Sequence, residues 1–181
     1  MNLDKYFSDF NQEAKEIVFR HSRAVAELAL SINENRNLGL NPEEIEFAAM
    51  IHDVGISMTN APGLHCYGES PYILHGVKGA EKLRQMGAPE WAARVAERHT
   101  GTGLYPEDIA RQHLPLPTDG VFYPQTTLEK LICYADKFYS KRVGSLTRQK
   151  TLDEVRQEMQ KFGDENLKRF EELNEMFELK N

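Results

Sequence analysis

Cysteine is scarce in this chain, basic residues are in the minority, and long apolar runs are missing. Two cysteines, Cys66 and Cys133, in 181 residues make no disulfide framework, and neither sits in a CxxC or similar zinc spacing. A reducing, cytoplasmic setting is the expectation. Lys and Arg number 22 against 28 Asp and Glu, for a formal net charge of -6. That balance excludes a broad basic footprint for duplex nucleic acid or an anionic membrane. No window approaches the roughly 18 consecutive apolar residues of a membrane span. The opening stretch MNLDKYFSDFNQEAKE carries acids and lacks an apolar export core, so a soluble, non-exported protein without a membrane partner is expected. Repeats, low-complexity tracts and alternating β-patterns are likewise missing.

What is present is helical periodicity. Ile17, Val25, Leu28 and Ile32 recur at helical spacing between Asn11 and about Asn33, and His21 falls on the same face. Asn41-Pro42-Glu43-Glu44 is a helix start, with a capping Asn, a proline at the first helical position and acids in the first turn. Its inner face carries Ile45, Ala48, Ala49 and His52, and it stops near Gly55. Residues 56 to 74, with two Gly and two Pro, read as a long loop. A helix from about His75 to Met86 follows, and a second one ends its inner face Ala92, Val95 with His99. A short helix is expected from Pro106 to His113. Leu128, Leu131, Ile132, Ala135 and Tyr139 define another, with Asp136 bordering the buried stripe.

Thr151-Leu152-Asp153-Glu154 has the form of a capping box. It opens an apolar stripe through Val155, Met159, Phe162, Leu167, Phe170, Leu173 and Phe177, read as one helix of roughly 40 Å that docks on the domain or on a second subunit. The expected fold is therefore all-α, a helical bundle with a long C-terminal helix. One domain spans 1 to 181, with a catalytic core from about 14 to 142 and the last helix from about 151 to 179. The polar link between them runs from Ser140 through Lys141, Arg142 and Val143 to Ser145, and the chain is expected to be a monomer or a homodimer.

The chemistry lies in where the histidines and two aspartates fall. A single inward histidine is ordinarily a core residue with a satisfied hydrogen bond. Four histidines and two aspartates on the inner faces or ends of successive helices are different, because uncompensated buried carboxylates and imidazoles are costly and something must pair them. A cation is the economical partner. Asp53 is the sharpest of the set, because a carboxylate at a helix C-terminus faces the negative end of the macrodipole and a bound ion reverses that penalty.

Arg20-His21-Ser22, then Met50-Ile51-His52-Asp53-Val54-Gly55, then Tyr134-Ala135-Asp136-Lys137 resemble the H, HD and D elements of the HD-domain superfamily of metal-dependent phosphohydrolases, and HDVG looks like the HDIG variant. His75-Gly76-Val77-Lys78-Gly79-Ala80 and Glu97-Arg98-His99-Thr100-Gly101 resemble the extra histidine motifs of branches that bind two metals. The similarity covers about residues 17 to 142. The resemblance implies one metal held by His21, His52, Asp53 and Asp136, with Asp53 bridging to a second held by His75 and His99. Imidazole and carboxylate ligands without thiolate suit Fe, Mn, Co, Ni or Mg, and one or two such ions activate water for attack on a phosphate ester or anhydride.

The expected substrate is a small phosphorylated molecule, a nucleotide being the favoured class. Asp53 is the central catalytic candidate, and Lys78, Arg98 and Lys137, beside the ligand positions, are candidates for offsetting phosphate charge. His65 and His113 read as surface residues. Tyr67, Tyr72 and Tyr105 are candidates for stacking on a base. Two other functions stay open: a mixed-valent di-iron oxygenase of HD-like type, and a non-catalytic helical metal- or ligand-binding module.

Overall fold

The computed structural model describes residues 3–142 and 144–178; the place of Val143 in the polar link and the extension of the last helix to residue 179 lie outside them. Eight α-helices are found among the described residues: α1 (Gln12–Asn35), α2 (Pro42–Ile51), α3 (His75–Gln85), α4 (Glu90–Arg98), α5 (Pro106–Arg111), α6 (Thr127–Lys137), α7 (Leu152–Lys161) and α8 (Asp164–Phe177). The fold is all-α. No helix among them is long and apolar enough to cross a membrane.

Local chemistry sets the helix starts. Asn11 accepts from the Ala14 amide at the head of α1, and Asn41 accepts from the Glu43 amide ahead of Pro42. Thr126 with Glu129 and Thr151 with Glu154 form reciprocal capping boxes on α6 and α7. Only the second of these was read from the sequence.

Among the described residues the helices enclose two main apolar clusters, beside a smaller one of Leu104, Ile109 and Phe122. One gathers Val25, Ala29 and Ile32 of α1, Ile45 of α2, Leu131 and Ile132 of α6, and Val155, Phe170 and Phe177 of the last two helices. The other gathers Ala14 and Val18 of α1, Phe47 and Ile51 of α2, Ala80 and Leu83 of α3, and Ala92 and Ala96 of α4. His21 lies one turn from Val18 and one turn from Val25, so the polar site is seeded where the two clusters meet. Each cluster also keeps water from it.

Two expectations are corrected. The C-terminal stripe is two packed helices, because Gly163 adopts φ 108° and turns the chain between α7 and α8. Val155, Met159, Phe170, Leu173 and Phe177 are buried against the domain, while Phe162 at the break is 65% exposed. The segment from 56 to 74 is ordered by 3-10 turns and a small antiparallel hairpin, β1 (Asn60–Ala61) with β2 (Cys66–Tyr67). Strands of two residues are too short to leave a period-2 pattern in a sequence.

Candidate metal centre

Six side chains converge from five elements. His21 comes from the middle of α1, His52 and Asp53 from the end of α2, His75 from the first position of α3, His99 from the end of α4, and Asp136 from the last turn of α6. Gly55 makes one of these approaches possible. A Cβ there would run into the backbone of His75 and Gly79, so only glycine lets the turn after Asp53 lie directly against α3. The second glycine-bearing half of the HDVG quartet is therefore what brings His75 to the carboxylate.

Backbone carbonyls fix the imidazole tautomers. His52 Nδ1 lies 2.6 Å from Ala49 O, His75 Nδ1 2.8 Å from Tyr72 O, and His99 Nδ1 2.8 Å from Ala96 O. A carbonyl can only accept, so each Nδ1 carries a proton and donates it. The Nε2 atoms of His75 and His99 then present lone pairs inward, and that of His52 does so once its second proton is displaced. His75 Nε2 and His99 Nε2 face each other at 3.0 Å. His52 Nε2 lies 3.1 Å from Asp53 Oδ2, and His21 Nε2 lies 2.9 Å from Asp136 Oδ1.

Asp53 links the two halves. Its Oδ2 faces His52 and, at 3.5 Å, His21, while its Oδ1 faces His75 at 3.5 Å and His99 at 3.4 Å. One atom from each of His21, His52, Asp53 and Asp136 falls within 4.8 Å of the others, and Asp53, His75 and His99 form a second such group. Asp53 Oδ1 is buried without a hydrogen-bond partner, while Asp53 Oδ2 meets the imidazoles of His21 and His52 and the Lys141 ammonium. A buried carboxylate left part-orphaned among imidazoles is what a divalent cation satisfies, so the donor set fits one.

Lys141 was not singled out by sequence reasoning. Its ammonium lies 2.9 Å from Asp53 Oδ2 and 3.4 Å from Asp136 Oδ1. Although burial opposes its charged form, Asp136 and Asp53 raise its pKa well above the usual lysine range. The same field acts on the rest of the site. Burial disfavours the charged form of Asp53, but His52 and Lys141 outweigh it and hold the carboxyl well below the usual range. Asp136 is held low against burial by Lys137 and Lys141. Burial, then Lys141, lowers His21 to about 4, and burial, then His99, lowers His75 to about 3. His99 is lowered by burial, whereas for His52 the carboxylates of Asp53 and Asp136 overcome burial and raise it to about 9.

The three proposed helper cations separate. Lys137 lies at the centre, 2.7 Å from Asp136 Oδ2, and also donates to His99 O. Lys78 stands outside the buried stripe of α3 and pairs with Glu81, and Arg98 is engaged by Glu129 and Val121 O. Neither of these two is brought to the cluster. Arg98, adjacent to His99, points about a quarter turn away from it, and Lys78, one turn after His75, is held by Glu81 instead. His65 pairs with Glu13 near the surface and His113 is exposed, as read. Of the tyrosines, Tyr67 is exposed and Tyr105 stacks on Tyr123, whereas Tyr72 stacks on His75 with ring centres 4.7 Å apart. A cavity of about 350 Å³ opens onto His75, His99 and Asp136, with Tyr72, Lys137 and Lys141 also in its wall and Met159, Phe162 and Asn166 contributed by the C-terminal segment.

A family model described as the HD domain matches residues 18–140. An uncharacterized protein of Methanocaldococcus jannaschii is 36% identical over 149 residues, covering 79% of each chain. Two tRNA (cytidine(56)-2'-O)-methyltransferases, of Thermoplasma volcanium and Picrophilus torridus, are 29% and 27% identical over 70% and 76% of this chain but 33% and 38% of their own, so the chain spans about a third of their length. Among solved structures, the HD domain of the L. monocytogenes phosphodiesterase PgpH aligns with TM-score 0.52 at 17% identity, covering 90% of this chain and 95% of that one. The same domain in complex with cyclic-di-AMP aligns at 0.55 and 16%, covering 98% and 99%. This is a likeness of fold.

Proposed function

The chain belongs to the HD domain family, and from that premise we propose that it is a metal-dependent phosphohydrolase whose centre holds two divalent ions. His21, His52, Asp53 and Asp136 would hold one ion, and Asp53, His75 and His99 the other. The observation that carries this reading is the pair of imidazole lone pairs at 3.0 Å, beside a carboxylate whose oxygens point to opposite halves of the cluster. Fe, Mn, Co and Ni suit such ligands, with Mg compatible.

Bound ions of this kind supply Lewis acidity and lower the pKa of water at the site. The chain's own residues do the rest. The three carbonyl-anchored histidines hold their Nε2 atoms in place, as second-shell hydrogen bonds do in metal sites generally. Lys137 and Lys141, on the cavity wall, offset the charge of an entering phosphate. Hydrolysis then forms a bond from a water oxygen to phosphorus and breaks the bond to the ester oxygen. The ester oxygen leaves with the bonding pair and takes up a proton from that water, giving an alcohol and inorganic phosphate from a monoester.

We read the substrate as a small phosphorylated molecule, a nucleotide, in line with the cavity's size at the lower end of ligand sites. The whole chain is read as one working domain. The test is metal analysis of protein purified without chelator, followed by a phosphate-release screen with Mn, Co, Ni and Fe. Phosphate release that needs the metal and is lost in Asp53→Ala is expected. Oxygen consumption driven by substrate with no phosphate released would replace this reading with the oxygenase one, and failure to bind metal at micromolar concentration would leave a non-catalytic module.

A further inference from the structure

The cavity over the metal centre has a polar, ligand-bearing inner part and an aromatic rim. His21, His52 and Asp53 are fully buried and do not line it, so a ligand meets the cluster only from the side of His75, His99 and Asp136. Three further clefts among the described residues touch none of the six. A phosphate reaching the three residues through this cavity of about 350 Å³ brings what is attached to it into or across the same space. A monoester brings one substituent into that space. A diester brings two.

Two aromatic side chains stand exposed on the same cavity. Phe162 is 65% exposed and Tyr72 is 38% exposed, although the other phenylalanines of the last two helices, Phe170 and Phe177, are fully buried. An exposed large apolar ring is informative where a buried one is not. Phe162 sits there because the chain turns at Gly163, which lifts this position out of the stripe that α7 and α8 bury. Tyr72 already lies flat on His75 at an interplanar angle of 20°, which fixes a ring plane beside a candidate ligand. Lys137 and Lys141 supply positive charge further in.

We propose that this cavity takes a nucleoside monophosphate, with the phosphate toward His75, His99 and Asp136 and the base against the aromatic rim formed by Phe162 and Tyr72. The inference rests on the phosphohydrolase reading and narrows it to monoesters bearing a flat ring. It also makes the C-terminal helix pair part of the substrate site, with Phe162 as a specificity-determining residue.

The test uses the full chain loaded with Mn. Initial rates are measured on adenosine and uridine 5'-monophosphate, on ribose 5-phosphate, which has no base, and on cyclic-di-AMP. Equilibrium titrations with adenosine 5'-monophosphate and ribose 5-phosphate run alongside. Base stacking on an aromatic ring should give the nucleotides about a tenfold advantage or more in KM and in binding. Phe162→Ala, at an exposed position where folding is not at stake, should erase that advantage through KM, leave ribose 5-phosphate and metal content unchanged, and be rescued by Phe162→Trp. Equal handling of ribose 5-phosphate and the nucleotides, or cleavage of cyclic-di-AMP at the monophosphate rate, would overturn the inference while leaving phosphate hydrolysis intact. Absence of phosphate release from every ester would instead overturn the phosphohydrolase reading, and the titrations would still decide whether Phe162 recognises a base.

Discussion

His75 Nε2 and His99 Nε2 point at each other across 3.0 Å, and the Nδ1 of each is held by the carbonyl of Tyr72 or Ala96. With both Nδ1 protons engaged, neither Nε2 has a proton to offer the other. Two lone pairs at hydrogen-bond distance repel unless a cation lies against both. Burial and mutual repulsion push His75 down to about 3, so protonation near neutral pH does not resolve the conflict. Together with Asp53 Oδ1, the pair has the form of a three-ligand half-site.

The first prediction is metal stoichiometry. Wild-type protein should saturate at two divalent ions, and His75→Ala or His99→Ala should retain one, with the paramagnetic coupling of a Mn pair replaced by a mononuclear Mn spectrum. Asp53→Ala touches both halves and should lose activity beyond the ~10–100-fold typical of an outer-shell partner. A wild-type ratio saturating at one ion would refute the dinuclear assignment.

Lys141 gives the second prediction. Its ammonium stands against the same two carboxylates that would hold an ion, 2.9 Å from Asp53 and 3.4 Å from Asp136. A metal at the first half-site must displace it. Leaving a buried charge unpaired costs about 3–5 kcal/mol, so Lys141→Ala should bind Mn about tenfold more tightly or better, as the cation recovers part of that cost. The same variant should lower kcat/KM at saturating metal, because a phosphate loses one positive neighbour. Mn affinity measured by competition with a fluorescent chelator, unchanged from wild type, would show that Lys141 does not contend for the site.

The inward placement of the candidate residues was legible because they lie on amphipathic patterns whose inner face the sequence displays: His21 between Val18 and Val25, His99 after Val95, Asp136 after Ile132. Lys141 was not, because it follows the end of α6 by four residues in an irregular stretch where periodicity carries no information. Lys78 and Arg98 misled for the opposite reason. Both lie close to candidate ligands along the chain, but Arg98 diverges from the adjacent His99, Lys78 one turn after His75 is held by Glu81, and Arg98 is held by Glu129. The turn at Gly163 was hidden by apolar residues at near-helical spacing on both sides, Met159 and Phe162 before it and Leu167 and Phe170 after it.

The third prediction concerns Gly55. A methyl there must displace the backbone of His75 and Gly79, since neither can give way as a side-chain tip could. Gly55→Ala should destabilise by about 1–3 kcal/mol, as overpacking does. It should also weaken the second half-site selectively, because the shift moves His75 away from Asp53. Calorimetric metal titration separates this from general destabilisation. Loss of both ions equally would refute the selective effect.

The fourth prediction tests the C-terminal pair as part of the fold. Phe170 and Phe177 are fully buried against Tyr134, whose hydroxyl donates to Asn174 at 2.8 Å. Phe170→Ala should cost about 3–5 kcal/mol of stability, and truncation after Lys150 should give aggregated or poorly folded protein. A soluble 150-residue fragment with native helicity would show that the core closes without α7 and α8.

The last prediction is the pH dependence of stability in chelator-treated protein. His21 is lowered to about 4, His75 to about 3, and His99 is lowered as well, all chiefly by burial, from an ordinary value of 6.5. Below pH 6.5 the unfolded chain binds protons at these three positions that the folded chain refuses, so stability falls as pH drops toward about 4. His52 has the opposite sign. Its pKa is raised to about 9, so its contribution is fully present below 6.5 and lost as pH rises through 9. Stability should therefore peak near pH 6.5 and fall more steeply on the acid side, where three groups act against one. In Mn-loaded protein the ion takes the place of the His52 proton, and since metal affinity rises as ligands deprotonate, the alkaline loss should disappear while the acid loss steepens. Urea midpoints at pH 5, 6.5 and 9, with and without Mn, measure both curves. An alkaline decline that persists unchanged in the Mn-loaded protein would mean that the ion does not engage His52.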